Sequence, residues 1–149
     1  MRQVNRIIIH CSATRPSTDI GADEIRKWHT DRPPKGNGWG DIGYHGVIRR
    51  NGELESGRPM SVPGAHVSGR NADSIGICLV GGVAEDGRTP ENNFTPEQWA
   101  GLERVIKDLV KRYPGATVHG HNEFAAKACP SFDVKQWWSE ERDGKSEMA

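Results

Sequence analysis

Ile7-Ile8-Ile9-His10-Cys11 is a short, continuous apolar run. A run of this length without polar alternation fits a strand covered on both faces. Neighbouring strand residues point to opposite faces, so His10 and Cys11 cannot both serve one site. Ser74 to Val80 reads as a second buried strand, with Ile75, Ile77 and Leu79 on one side and Gly76, Cys78 and Val80 on the other. Thr117 to His121 makes a last strand. Tyr44 to Arg50 and Glu53 to Gly57 flank Asn51-Gly52, a strong hairpin signal. That hairpin places Tyr44, Gly46 and Ile48 on one face and His45 and Val47 on the other.

Helical spacing links Ile25, Trp28 and His29 within Ala22 to Thr30. Thr95-Pro96-Glu97-Gln98 is a capping box with proline at the first helical position. It opens a helix whose apolar stripe is Trp99, Leu102, Val105, Ile106, Leu109 and Tyr113, and Pro114-Gly115 stops it. Asp133 to Trp138 predicts a short terminal helix. Asp31 to Gly43 is a long loop, and its Gly-Asn-Gly-Trp-Gly run is no phosphate-binding fingerprint, because no strand precedes it and no helix follows. Strands alternating with helices, apart from one hairpin, predict an α/β fold: a single domain with a mixed central β-sheet flanked by helices. The domain is expected over residues 1–138, and the charged tail 139–149 is expected to fray.

Composition narrows the function. The chain has 149 residues, with 20 Lys+Arg against 20 Asp+Glu, so its formal net charge is zero. No basic field exists to attract nucleic acid. The hydrophobic fraction is 34%, and the 18 glycines bring apolar usage near that of ordinary globular domains while marking a loop-rich chain. Cys11, Cys78 and Cys129 cannot all pair and show no C-x-x-C spacing, which argues against a disulfide scaffold. The N-terminus lacks a signal peptide's apolar core, and no run is long enough to span a bilayer. Synthesis in a cytoplasm, without a membrane partner, is the expectation.

His10 closes the first strand, His121 closes the last, and Cys129 follows in the loop Asn122 to Pro130. Two imidazoles and a thiolate supply three protein ligands for zinc and leave the fourth tetrahedral position open to water, the arrangement of a catalytic rather than a structural site. His119 is a rival ligand, since at period two it shares a face with His121. The same residues also fit hydrogen-bonded core histidines and a small buried thiol.

His10-Cys11-Ser12-Ala13-Thr14, Gly43-Tyr44-His45, Ser74-Ile75-Gly76-Ile77-Cys78-Leu79-Val80-Gly81-Gly82 and Lys127-Ala128-Cys129-Pro130-Ser131-Phe132-Asp133 together resemble the zinc-dependent N-acetylmuramoyl-L-alanine amidases of the type 2 amidase family. The motifs stand in the family's order and span about Ile7 to Trp138. The resemblance implies a peptidoglycan-recognition-like fold and an endolysin that hydrolyses the amide between N-acetylmuramic acid and the L-alanine of the stem peptide. It implies one Zn2+ held by His10, His121 and Cys129, the cysteine standing where many members carry aspartate. Tyr44 and Lys127 match the catalytic tyrosine and lysine. His66 resembles a position lining the substrate groove, with a surface histidine as its alternative. His119 matches no ligand, and Asn122 stands where a phage member has a second histidine.

By the same resemblance the partner is bacterial peptidoglycan, and the chain is expected as a monomer made in the host cytoplasm that acts on the wall after release. Related phage enzymes also bind phage RNA polymerase, which makes that polymerase a candidate second partner. Two rivals stand beside this reading. One is a cysteine-nucleophile hydrolase in which Pro130 opens a helix and lowers the Cys129 thiol pKa. The other is a peptidoglycan-binding or regulatory module with little or no turnover. Cys11 and Cys78 read as core thiols, Trp28 and Trp99 sit on helical apolar faces, and Trp39 is placed to stack on a ligand.

Overall fold

The apolar run around Ile8 forms β1 (Arg6–Cys11), the fourth of five strands in a mixed sheet. The computed structural model describes residues 2–148, and the side chains of residues 2–141. In chain order the strands continue with β2 (Gly46–Ile48), β3 (Leu54–Ser56), β4 (Ser74–Leu79) and β5 (Thr117–Gly120). Their order across the sheet is β3-β2-β4-β1-β5. β1 pairs in parallel with both β4 and β5, β2 pairs in parallel with β4, and only the β2–β3 hairpin is antiparallel. Three α-helices, α1 (Ala22–Thr30), α2 (Pro96–Arg112) and α3 (Val134–Met148), and two short 3-10 turns (Asn71–Asp73 and His121–Glu123) accompany the strands among the described residues.

Both faces of the sheet are covered, which is why Ile7, Ile8 and Ile9 could all be apolar; each is 0% exposed. One face carries Ile7, Ile9 and Cys11 of β1 with Ile75, Ile77 and Leu79 of β4, packed against Leu102, Ile106 and Leu109 of α2 and Val134 of α3. Each such side chain contributes about 1.5–3 kcal/mol of burial free energy. The opposite face carries Cys78, Val80 and Val47 under Ala22 and Ile25 of α1. The Asn51-Gly52 turn forms as expected, with Gly52 at φ +89°, a conformation that glycine adopts at no steric cost. A Cβ there would also come within 2.4 Å of the Glu97 carbonyl, so α2 starts directly on the turn.

The capping box closes as the sequence predicts: Thr95 Oγ1 accepts from the Gln98 amide, and Gln98 Oε1 accepts from the Thr95 amide, both at 3.0 Å. Gln98 does more than cap. Its Nε2 donates to the carbonyls of Val80 at 2.8 Å and Ile48 at 3.3 Å, so one buried amide ties the helix start to two strands.

Three local expectations are corrected. Strand β2 begins at Gly46 rather than Tyr44, because the chain bends at Gly43 and His45. The bends break the two-residue alternation, and Tyr44 packs with Val47 rather than with Ile48. Trp28 is 42% exposed, since Ala22 and Ile25 turn α1's buried side toward the sheet and leave Trp28 at its margin. Helix α3 runs to Met148 instead of ending at Trp138. Glu140, Glu141, Arg142, Lys145 and Glu147 after Ser139 are good helix formers with no proline to stop them, and Gln136 bonds Glu140 one turn on at 3.1 Å. The expected fraying of 139–149 falls largely outside the residues whose side chains are described.

Replacing Gln98 by Ala removes one of the two donors to each of the Val80 and Ile48 carbonyls, which keep Arg50 Nη1 and the Val80 amide, and takes the side-chain acceptor from the Thr95 amide and from Arg50 Nη1. Urea unfolding is expected to show a loss of at least about 2 kcal/mol; a loss within the error of the wild-type value would show that the amide only fills space.

Candidate metal centre

β1 and β5 lie side by side and parallel, with Ile9 opposite Gly120. The next residue of each chain segment, His10 and His121, therefore emerges at the same level, and their ring centroids are 4.7 Å apart. His121 opens a 3-10 turn (His121–Glu123) rather than ending the strand, which swings its ring toward His10. The loop after this turn brings back Cys129. It is anchored by the Ser131 hydroxyl donating to the Gly82 carbonyl at 2.9 Å and by the Cys11 amide donating to Cys129 Sγ at 3.2 Å. Cys11 thus reaches the site through its main chain, and its buried thiol also lies beside Cys129, so strand alternation did not separate it from the site of His10 as expected.

The donor atoms of His10, His121 and Cys129 all lie within 4.8 Å of one another, the single group of this kind among the described residues. A tetrahedral zinc with ligands at about 2.0–2.3 Å separates its donors by about 3.3–3.8 Å, so small side-chain movements close these atoms on an ion. The electrostatics suit the same use. Burial, then the neighbouring His66, His121 and Lys127, holds His10 well below the usual imidazole pKa. Burial and Lys127 lower His121 in the same direction. Both rings are therefore neutral, with a lone pair to give. The Cys11 thiol beside it and burial push the Cys129 thiol up. A thiol raised in this way is a poor free nucleophile, whereas a coordinated dication deprotonates it outright. No helix opens at Pro130, since α3 starts at Val134; the helix invoked for a cysteine nucleophile is not there.

His119 lies one pair down the strand, opposite Ile8. Its ring is held by Thr117 Oγ1 at 2.6 Å and Glu123 Oε1 at 2.8 Å, outside the donor group. Cys11 and Cys78 are buried, as core thiols. The Tyr44 ring stands 5.0 Å from that of His10 and 5.5 Å from that of His29. Burial raises the Tyr44 phenol well above its ordinary value, so it keeps its proton and remains a donor. Lys127 is exposed on the Cys129 loop, close enough for its charge to lower both histidines. Trp39 is 38% exposed and stacks obliquely on His29 at 4.8 Å, which sets a partly free indole beside the Tyr44 flank.

Three further groups surround the site and were not singled out from sequence. His29 accepts the Gly43 amide proton at Nδ1, 2.9 Å away, fixing the approach to Tyr44. His45 Nδ1 accepts from the Gly76 amide at 3.0 Å, and its Nε2 donates to the Val62 carbonyl at 2.8 Å. Ser74, 0% exposed, bonds the ring of His66, which in turn bonds His10. The signal open to a sequence reader was a polar residue at an apolar position: His29 on the helix face and Ser74 at the head of a buried strand.

A family model described as N-acetylmuramoyl-L-alanine amidase matches residues 1–132. The chain belongs to this amidase family. It is 47% identical over 132 residues to the endolysin of Escherichia phage T7, covering 89% of this chain and 83% of that one. Among solved structures, the amidase LysC from Clostridium intestinale URNW superposes with a TM-score of 0.76 at 25% identity, covering 98% of this chain and 87% of that one. Bumblebee PGRP-SA shares the fold, with a TM-score of 0.73 at 24% identity over 92% of this chain and 81% of that one. The amidase fold is thus common to phage lysins and animal recognition proteins. No helix among the described residues is long and apolar enough to cross a membrane.

His45 gives this amidase a definite acid sensitivity. Burial, reinforced by Arg2 and Arg58 and opposed by the bond to Val62, pushes His45 down to about 4. Between the ordinary value near 6.5 and about 4 the unfolded chain binds the proton and the folded chain does not, so stability falls as pH drops through that window. The contribution amounts to about 3 kcal/mol at most. The gap between the urea midpoints at pH 7.5 and pH 4.5 is expected to be smaller for His45→Asn than for wild type; an identical pH dependence would remove His45 as a source.

Proposed function

We propose that the chain is a phage endolysin that hydrolyses the amide between N-acetylmuramic acid and the L-alanine of the peptidoglycan stem peptide, using one zinc ion held by His10, His121 and Cys129. The observation that carries this reading is the convergence of the three donor atoms within 4.8 Å, flanked by Tyr44 and Lys127, in a chain of the amidase family. When bound, zinc polarises a carbonyl and lowers the pKa of water to about 7, which allows amide hydrolysis at neutral pH without a covalent enzyme intermediate.

The chain's own residues do the rest. His10 and His121 offer neutral ring nitrogens, and Cys129 offers a sulfur whose charge is received by the Cys11 amide. The Lys127 ammonium, two residues before Cys129, binds the amide oxygen as negative charge develops on it. Tyr44 keeps its phenol proton and donates it in a hydrogen bond to the attacking water or to that same oxygen. Zero net charge removes bulk attraction to an anionic wall, so recognition falls to the groove around Tyr44 and Lys127, with Trp39 offering a stacking surface. The catalytic unit is assigned to residues 1–138. Released into the wall, such an enzyme lyses the host. The complete donor set speaks against a binding module without turnover, and the raised Cys129 thiol speaks against a cysteine hydrolase.

Digestion of purified cell walls is expected to release new alanine amino groups without new reducing sugar ends, and reducing ends alone would identify a glycosidase instead. A chelator should abolish the activity and zinc should restore it; a cysteine hydrolase would be indifferent to both. Cys129→Ser is expected to lose zinc while still sedimenting with walls. Lys127→Ala and Tyr44→Phe should each lower kcat by about 10²–10³-fold with zinc stoichiometry intact. Near-wild-type kcat in either variant would take that residue out of the reaction.

A further inference from the structure

We infer that His66 is a positioning residue for the metal site: it selects the tautomer of His10 whose Nδ1 is free to bind the ion. The inference rests on the reading that His10 is a ligand. His10 Nδ1 faces Cys129 Sγ at 4.0 Å, while its Nε2 lies 2.8 Å from His66 Nδ1. His66 Nε2 in turn lies 3.2 Å from the buried Ser74 hydroxyl. A neutral imidazole has one N–H and one acceptor nitrogen, so protons along this chain must all point the same way. With His10 protonated at Nε2, it donates to His66 Nδ1, His66 donates from Nε2 to Ser74 Oγ, and His10 Nδ1 is left with a lone pair toward the sulfur. In the opposite sense Ser74 donates to His66, His66 donates to His10, and a proton occupies the very nitrogen that faces Cys129.

The fold is built around this ring. The amides of His66 and Val67 both donate to Asn71 Oδ1, at 2.9 and 3.0 Å, which pins the loop. Gly76 lies inside buried strand β4, where glycine is less favourable than alanine. A Cβ at Gly76 would come within 2.7 Å of the His66 ring, and one at Gly64 would come equally close to its Cδ2. Glycine at these points marks close approach rather than flexibility. The His45 ring meets His66 edge-on at 5.9 Å and 82°. Both nitrogens of His66 are engaged within the protein, so it offers none to a substrate. The role inferred for His66 is exerted through His10.

Zinc affinity by chelator competition, and the visible spectrum of the cobalt-loaded protein, test this in wild type, His66→Ala, His66→Asn, Ser74→Ala and His10→Ala. Partners that orient a ligating histidine are worth about 10–100-fold in metal affinity. His66→Ala is expected to weaken zinc binding by that factor and to alter the cobalt spectrum. His66→Asn, whose amide oxygen can accept where Nδ1 does, should recover most of the loss, and Ser74→Ala should weaken binding by up to about tenfold. His10→Ala should abolish binding. Wild-type affinity in His66→Ala, or equal losses in His66→Ala and His66→Asn, would overturn the inference while leaving the ligand set standing. Wild-type affinity in His10→Ala would overturn the ligand set itself. If His66→Ala does not fold, Ser74→Ala decides the matter, since it leaves the ring in place and wild-type affinity there refutes the relay.

Discussion

The parallel pairing of β1 with β5 is the constraint on which the rest of this molecule depends. Two strands that run the same way end at the same edge, and the register that sets Ile9 opposite Gly120 delivers His10 and His121 to one point. Ligand sites in open α/β sheets form outside the carboxyl ends of strands for this reason. The third donor needs only a loop, but that loop must be held. Cys129 is fixed by the Cys11 amide at the end of the same central strand, and Ser131 ties the loop to the end of β4. All three arms of the centre are thus referenced to the middle of the sheet, where Ile7, Ile8 and Ile9 are wholly buried and the scaffold is least able to shift.

A second consequence of that placement is electrical. His10, His45 and His66 crowd one face of the sheet, with ring centroids 4.9 Å apart for His10 and His66. A cluster of imidazoles in this position would repel itself if charged, and burial is the leading cause keeping each of them neutral. Neutral imidazoles are ligands, acceptors and tautomer relays, whereas imidazolium ions are none of these. The glycines at 64 and 76 let the rings approach the backbone closely enough to be desolvated and hydrogen-bonded together. The same packing that makes the centre chemically ready makes the fold sensitive to acid.

Much of this was legible in the sequence because it depends on local pattern. The apolar runs at Ile7 and Ile75, the Asn51-Gly52 turn and the Thr95–Gln98 box each specify an element through periodicity or turn chemistry. Helix α1 falls where the spacing of Ile25 and His29 puts it. The failures have physical reasons as well. Tyr44 changed faces because two bends, invisible to a two-residue period, precede β2. Trp28 is exposed because the nine-residue helix over that face of the sheet buries only Ala22 and Ile25. Helix α3 outran its expected end because a charged stretch reads alike as a helix or a tail. The partners of the His66 ring were illegible because nothing in Pro63-Gly64-Ala65-His66 announces Ser74 or His10.

By itself the sequence determined the strands, the helices, the order of the motifs and the residue types able to bind a metal. Hydrophobic periodicity, caps and turns act over a few residues, and the donors name their own chemistry. Tertiary structure alone decided which donors meet. Strand periodicity leaves His119 and His121 equivalent and only the family resemblance tells them apart; in space the turn at His121 and the Glu123 bond to His119 separate them. Cys129 is 119 residues from His10, and the Ser74–His66–His10 relay joins three segments. Contacts of this kind follow from strand register and close backbone approach, which are properties of the packed sheet and not of any stretch of chain within it.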